Sequence, residues 1–167
     1  MAVNFNQEFD LNNKTHISTQ IYRVSDSSYF KEIDQSNTSD EALKSYLKVS
    51  FKDKESDFSA SLITENEQIV NSGAPSYTRA LEGSASKTFN INGKMPIMLD
   101  LVSTRFAHDT TSKESGTRTH GDINISRKLN IKYPEVTPKA SVAITNYSLK
   151  NNPNINRTIV GTGLDID

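Results

Sequence analysis

The chain has no cysteine, no tryptophan and only three histidines. Without thiols there is no disulfide framework, no cysteine nucleophile and no zinc–thiolate site, and three imidazoles offer little for a histidine metal cage. No apolar run approaches the ~18–20 residues that a helix needs to cross a bilayer, so on this reading a membrane span is excluded. The N-terminus, MAVNFNQEFD, lacks the basic patch and apolar stretch of a signal peptide, and none is expected. Apolar residues are scarce as well, at 34%, against ~45–50% in an average soluble domain. In their place stand 21 Ser, 15 Thr and 16 Asn among 167 residues. That composition predicts one thin-cored domain over 1–167 with much wetted backbone.

The formal net charge of -1 conceals an asymmetry. Through Gly83 there are 8 basic and 13 acidic side chains, whereas Ser84 to Arg157 holds 11 basic and 5 acidic ones. Such a division suits either a polyanion-binding face or contact between oppositely charged halves of neighbouring subunits.

Period-two alternation dominates the apolar pattern. Ile123, Ile125, Leu129, Ile131 and Tyr133 fall on odd positions, with Asn124, Ser126, Lys128, Asn130 and Lys132 between them. Successive side chains of a strand alternate faces, so 123–133 reads as a half-buried strand with Ile125 and Leu129 toward a core and the lysines toward water. Phe89 to Leu101 has the same period but is divided by Asn92-Gly93, a pair suited to the left-handed backbone of a tight hairpin turn. Pro96 cannot donate to a ladder and points to an edge strand or bulge. Further strands are expected over 15–24, 47–51, 58–64, 101–107 and 141–149. Thr38-x-x-Glu41 fits a capping box ahead of Ala42, Leu43, Tyr46 and Leu47, which predicts a short helix. From Asn151 to Asp167, Pro153 and two glycines suggest a flexible tail. The fold class is therefore all-β, an antiparallel sandwich or barrel-like sheet with one or two short helices.

No catalytic signature accompanies this fold, and no cofactor or metal is expected. His108, Asp109, His120 and Asp122 surround one loop and would converge if it folded back, as a hydrolase or metal site would require. The outward side chains Asn124, Ser126, Lys128, Asn130 and Lys132 follow one another at roughly 7 Å, close to the spacing of phosphates along a nucleic-acid strand. They are the candidate nucleic-acid contacts.

An apolar strand from Leu101 to Arg105, a polar turn with Thr110, Thr111, Lys113 and Gly116, His120 leading into Ile123 to Tyr133, and a last strand over Ser141 to Leu149 form an ordered set. This set resembles the central sheet of coat proteins from single-stranded RNA bacteriophages. The resemblance implies a non-enzymatic, self-assembling capsid or other virion component, made in a host cytoplasm, with itself and RNA as partners. A thin core completed between subunits is consistent with that expectation. The alternative is a surface or secreted β-sandwich module, an adhesin or carbohydrate binder, and a hydrolase around His108 and His120 is third.

Overall fold

A backbone that alternates apolar and polar side chains this regularly satisfies its N–H and C=O groups sideways, strand to strand. The computed structural model describes residues 2–25, 42–70, 77–93, 95–108, 113–129 and 135–166. They form nine strands: β1 (Ala2–Asn12), β2 (Thr15–Val24), β3 (Ala42–Asp53), β4 (Phe58–Ile69), β5 (Thr78–Ile91), β6 (Met95–Ala107), β7 (Gly116–Ser126), β8 (Val136–Leu149) and β9 (Ile155–Ile166). Each pairs antiparallel with the next in a single sheet ordered β1 to β9, so the topology is an uninterrupted meander. The all-β expectation holds, and no helix occurs among the described residues.

The two ends of the sheet differ. At one end the connections are 2, 4, 3 and 9 residues long, and at the other 17, 8, 8 and 5. Asn92 and Gly93 carry positive φ values of 53° and 65° and make the tight β5–β6 turn at the short-turn end. There too, Lys14 pairs with Asp53 at 2.8 Å, and the Lys52 N–H donates to the Lys14 carbonyl at 2.8 Å.

Several expectations are corrected. Ala42, Leu43, Tyr46 and Leu47 lie in β3 instead of a helix, with Thr38 and Glu41 outside the described residues. Leu43 and Leu47 are on one face of the strand and Tyr46 on the other, an arrangement that a short apolar run also allows. Pro96 sits in β6, an interior strand, as its second residue and outside the β6–β7 ladder, which begins at Ile97; its missing N–H therefore costs no bond there. The alternating stretch 123–133 is not one strand. β7 starts at Gly116 and ends at Ser126, and Leu129 makes an isolated bridge to Val136. Ile125 is 37% exposed and faces no core. Within the stretch expected to be a loose tail, Ile155 to Ile166 pairs along β8 as β9.

Among the described residues only Val24, Leu43 and Val70 are buried apolar residues, and Tyr22 packs on them. This cluster marks a departure from the plain sheet at the long-loop end. The β2–β3 ladder stops at Gln20 and Tyr46, and the β4–β5 ladder stops at Ile63 and Glu82, although all four strands continue. The β3–β4 pair stays zipped throughout. Its outer half is thus released from both neighbours. Tyr22 and Val24 belong to the face of β2 opposite to that of Leu43, yet they pack on Leu43, so the hairpin passes on the Tyr22/Val24 side of β2. Side chains replace the missing ladder. Ser45 Oγ accepts from Tyr22 N–H at 3.0 Å, and the Gln68 amide exchanges two bonds with the Val24 backbone at 2.9 and 3.0 Å. Across the other seam Arg79 pairs with Glu65 and, at 3.0 Å, with Glu82.

Truncating Leu43, 2% exposed, to Ala is expected to destabilise the sheet by about 2–5 kcal/mol through lost burial and a cavity. Equilibrium denaturation of the folded protein measures this.

Candidate functional site

Residues directly opposite one another in an antiparallel pair project to the same side, so the register assigns every strand residue to a face. One face carries Val3, Phe5 and Phe9 on β1, Ile17 and Ile21 on β2, and Leu47, Val49 and Phe51 on β3. It continues through Ala60 and Leu62, then Ala85 and Phe89, then Ile97, Leu99 and Leu101. Ile123, Ile125, Val142, Ile144, Val160 and Leu164 complete it. Arg23, Asp53, Lys87 and Arg105 are the only charged side chains that the strand register places on this face among the described residues. The opposite face carries fifteen Asp, Glu, Lys or Arg residues, from Glu8 and Asp10 to Arg157 and Asp165.

Exposure runs opposite to that of a water-soluble protein. Sixteen of the 21 large hydrophobics that are exposed belong to the apolar face, among them Leu62 and Leu101 at 51% and Val160 at 70%. The two buried polar residues among the described ones, Ser18 and Thr145, belong to the polar face. Side-chain hydrogen bonds crowd that polar face: Ser61 with Ser84 at 2.8 Å, Thr104 Oγ1 to Glu82 at 2.8 Å, His120 with Thr145 at 2.8 Å, and the Lys139–Asp165 pair. Arg118 lies 6.0 Å over the Tyr147 ring on the same side. Soluble monomers rarely expose apolar patches beyond a few hundred Å², and here exposed apolar side chains occupy this face from β1 to β9.

The apolar band crosses the sheet obliquely. Along β1 it runs from Val3 to Phe9 and along β9 from Val160 to Ile166. Followed through the register, its midline slips by about ten residues over the strand-to-strand steps from β1 to β9, toward the short-turn end. A row of phenylalanines, Phe9, Phe51, Phe58 and Phe89, borders the band on its short-turn side, with the Phe51 and Phe58 rings 6.0 Å apart. Lys87 reaches out of the band toward that end, where its ammonium passes 5.5 Å from the Phe89 ring and bonds to the Ser56 carbonyl.

Between β5 and β9, near the short-turn end of the polar face, lies an open cavity of about 560 Å³ lined by Met98, Asn124, Ser126, Lys139, Ser141 and Gly163, among others.

The candidate residues named from sequence are dispersed. Asn124 and Ser126 line this cavity, Lys128 pairs with Glu135 in the following turn, and Asn130 and Lys132 lie outside the described residues. His120 bonds Thr145, while the His108 ring meets Tyr77 edge-on at 4.9 Å. Asp122 stands across from Asp100, and Asp109 is outside the described residues. Of the hydrolase quartet's described members, His108 and His120 have separate partners, and no group of three or more potential ligands is placed to hold a metal among the described residues. The functional feature sequence reasoning missed is the whole apolar face. Its signal is alternation repeated in strand after strand, which predicts a core as readily as an open apolar surface.

The profile of a family described as LptD, LPS transport system D, matches residues 1–164. A search of the curated proteins finds no match. The match covers nearly the whole chain and overturns the phage-coat resemblance, which rested on under a third of it. With it fall the virion role and location, the self-assembling capsid, the RNA partner and the alternative adhesin or carbohydrate-binding module. A long meander with an uncovered apolar face is the physical counterpart of that correction. The expectation of a non-enzymatic protein agrees with a transport family.

Because Arg79 holds the seam between β4 and β5 from the polar face, Arg79→Met is expected to speed hydrogen exchange of the backbone amides in 66–69. The Lys48–Phe51 segment, paired on both sides, should keep its protection. Global stability should change by no more than about 1 kcal/mol, since Arg79 is half exposed. Hydrogen–deuterium exchange resolved by residue checks this.

Proposed function

The chain belongs to the LPS transport system D family, and from that premise we propose that its sheet is a stretch of transmembrane β-barrel wall in a lipopolysaccharide-transport protein. The carrying observation is the inverted amphipathicity: the apolar face is open and the charged face is crowded with internal hydrogen bonds. Hydrocarbon is the one solvent that covers such a face without a second protein layer, and a closed sheet is the one β-structure that satisfies its backbone there. The polar face then lines the interior.

The geometry supports this reading in detail. A slip of about ten residues over eight steps is ~1.25 residues, or ~4.2 Å, per strand spacing of ~4.8 Å. Laying the apolar band level in a membrane therefore tilts the strands by about 40°, within the ~35–45° of membrane barrels. The strands, 10 to 14 residues long, meet the ~9–11 residues that a tilted crossing needs. Three of the four connections at one end are 2 to 4 residues long while those at the other run from 5 to 17, the trend of the periplasmic and extracellular sides of outer-membrane barrels. Lys87, reaching from the band toward the Phe-lined border, behaves as snorkelling cations do. The exclusion of a membrane span on the ground of missing apolar runs applied to helices alone. No helix among the described residues is long and apolar enough to cross, a fact that has no bearing on strands. The nine strands act as one unit of that wall, and lipopolysaccharide is the cargo to which the whole protein is dedicated.

The absence of native tryptophan in this chain makes the test direct. In the full-length protein, with any tryptophan elsewhere replaced, reconstituted in vesicles of brominated phosphatidylcholine, Leu101→Trp and Leu62→Trp should lose most of their fluorescence. Ser84→Trp on the polar face should instead respond to aqueous iodide. Equal quenching of the three by iodide would rule out the membrane reading.

A further inference from the structure

Above the apolar band, toward the long-loop end, the outward face of β6 to β9 changes character. Leu101, Ile144 and Val160 give way to Ser103 and Arg105, Thr117 and Thr119, Asn146 and Ser148, and Asn156. These are hydroxyl and amide groups around one guanidinium. No carboxylate lies on this part of the face, and Arg105 is exposed without a hydrogen-bond or ion-pair partner among the described residues. Glu114, the acid of the adjoining loop among the described residues, accepts a bond from Asn152 at 2.7 Å.

Position matters as much as composition. With the strands tilted as derived above, Arg105 stands about 13 Å from the midline of the band, measured along the membrane normal. That is close to half of the ~25 Å apolar height of a membrane barrel, the level at which head groups begin. Hydroxyl and amide side chains hydrogen-bond sugar hydroxyls, and a guanidinium forks onto phosphate oxygens. The apolar side chains directly below would lie along acyl chains.

We infer that the outward patch centred on Arg105 binds the phosphorylated sugar head group of a glycolipid, lipopolysaccharide itself, in the leaflet at the long-loop end. The inference rests on the membrane reading and deepens it, because it makes the outer surface of the wall a holding site for the same lipid class that the family transports. Arg105 takes a phosphate, and Ser103, Thr117 and Ser148 take the sugar. Arginine suits this role better than lysine because its planar donors bind phosphate oxygens in pairs.

The test uses the full-length protein in phosphatidylcholine vesicles carrying either lipopolysaccharide or lipopolysaccharide stripped of its lipid A phosphates, with retained lipid counted by native mass spectrometry. The unaltered protein should retain the phosphorylated lipid about tenfold better than the stripped one, a comparison that needs no variant. Arg105→Ala should abolish that preference and Arg105→Lys should keep part of it. Arg118→Ala, on the polar face beside it, should leave the preference intact. Equal retention of the two lipids by the unaltered protein, or equal loss in Arg118→Ala, overturns the site. Equal retention of phosphatidylglycerol overturns the glycolipid assignment. Leu101→Trp quenching by brominated lipid, measured in the same vesicles, separates the outcomes: quenching with no lipid preference sinks the site alone, and no quenching sinks the membrane reading beneath it.

Discussion

Everything in this sheet follows from how its backbone hydrogen bonds are satisfied. Each interior strand gives its N–H and C=O groups to the strands on either side, so pairing needs no layer packed above or below. A soluble protein would still have to cover one face of such a sheet, because burying apolar area is what offsets the entropy of ordering the chain. Among the described residues the buried apolar set is Val24, Leu43 and Val70. On the membrane reading proposed above, hydrocarbon covers the apolar face in place of a second protein layer.

The same constraint explains the composition. A wall one strand thick has two surfaces and almost no interior, so it needs apolar side chains at only every second position along each strand. The other half is free to be Ser, Thr, Asn and charged residues, which gives a chain with 34% apolar residues and abundant small polar ones. Charges on the polar face are close enough to pair across strands, as Lys139 with Asp165 and Arg79 with Glu65 do. A low apolar content thus means a half-used sheet, not a weakly held one.

Much of the fold was legible in the sequence. Alternation locates parts of β2, β3 (47–51), β4, β5 (Phe89 to Ile91), β6, β7 and β8, Asn92-Gly93 locates a turn, and the scarcity of helical pattern gives the class. What period two cannot say is which of the two sets faces water, since it records only that the faces differ. The spacing therefore predicts a core position for Ile125, which is exposed in the sheet. Leu43, Tyr46 and Leu47 satisfy helical and strand spacing equally, and only pairing with β4 decides between them. β9 was missed because Gly161 and Gly163 read as turn residues. In the sheet they sit on the polar face opposite Ser141 and Lys139, and a side chain at Gly161 would press on Ser141 Oγ. The residues of the outward patch around Arg105 were visible singly, but their grouping depends on the slant of the register, which no local window contains.

The overlap of β2 with the β3–β4 hairpin carries a mechanical consequence. Elsewhere the wall bends only by straining continuous ladders, which makes it stiff. The outer half of this hairpin is tied by side chains, namely Ser45, Gln68, Arg79, the Arg23–Asn66 bond and the Thr64 hydroxyl on the Ala80 carbonyl, with three apolar side chains as its bearing surface. It can pivot about the points where the ladders end, Gln20 with Tyr46 and Ile63 with Glu82, without breaking a single strand-to-strand backbone bond on either side. Compliance in this stretch of wall is therefore concentrated in one hairpin, and a load applied at the long-loop end is taken up there first.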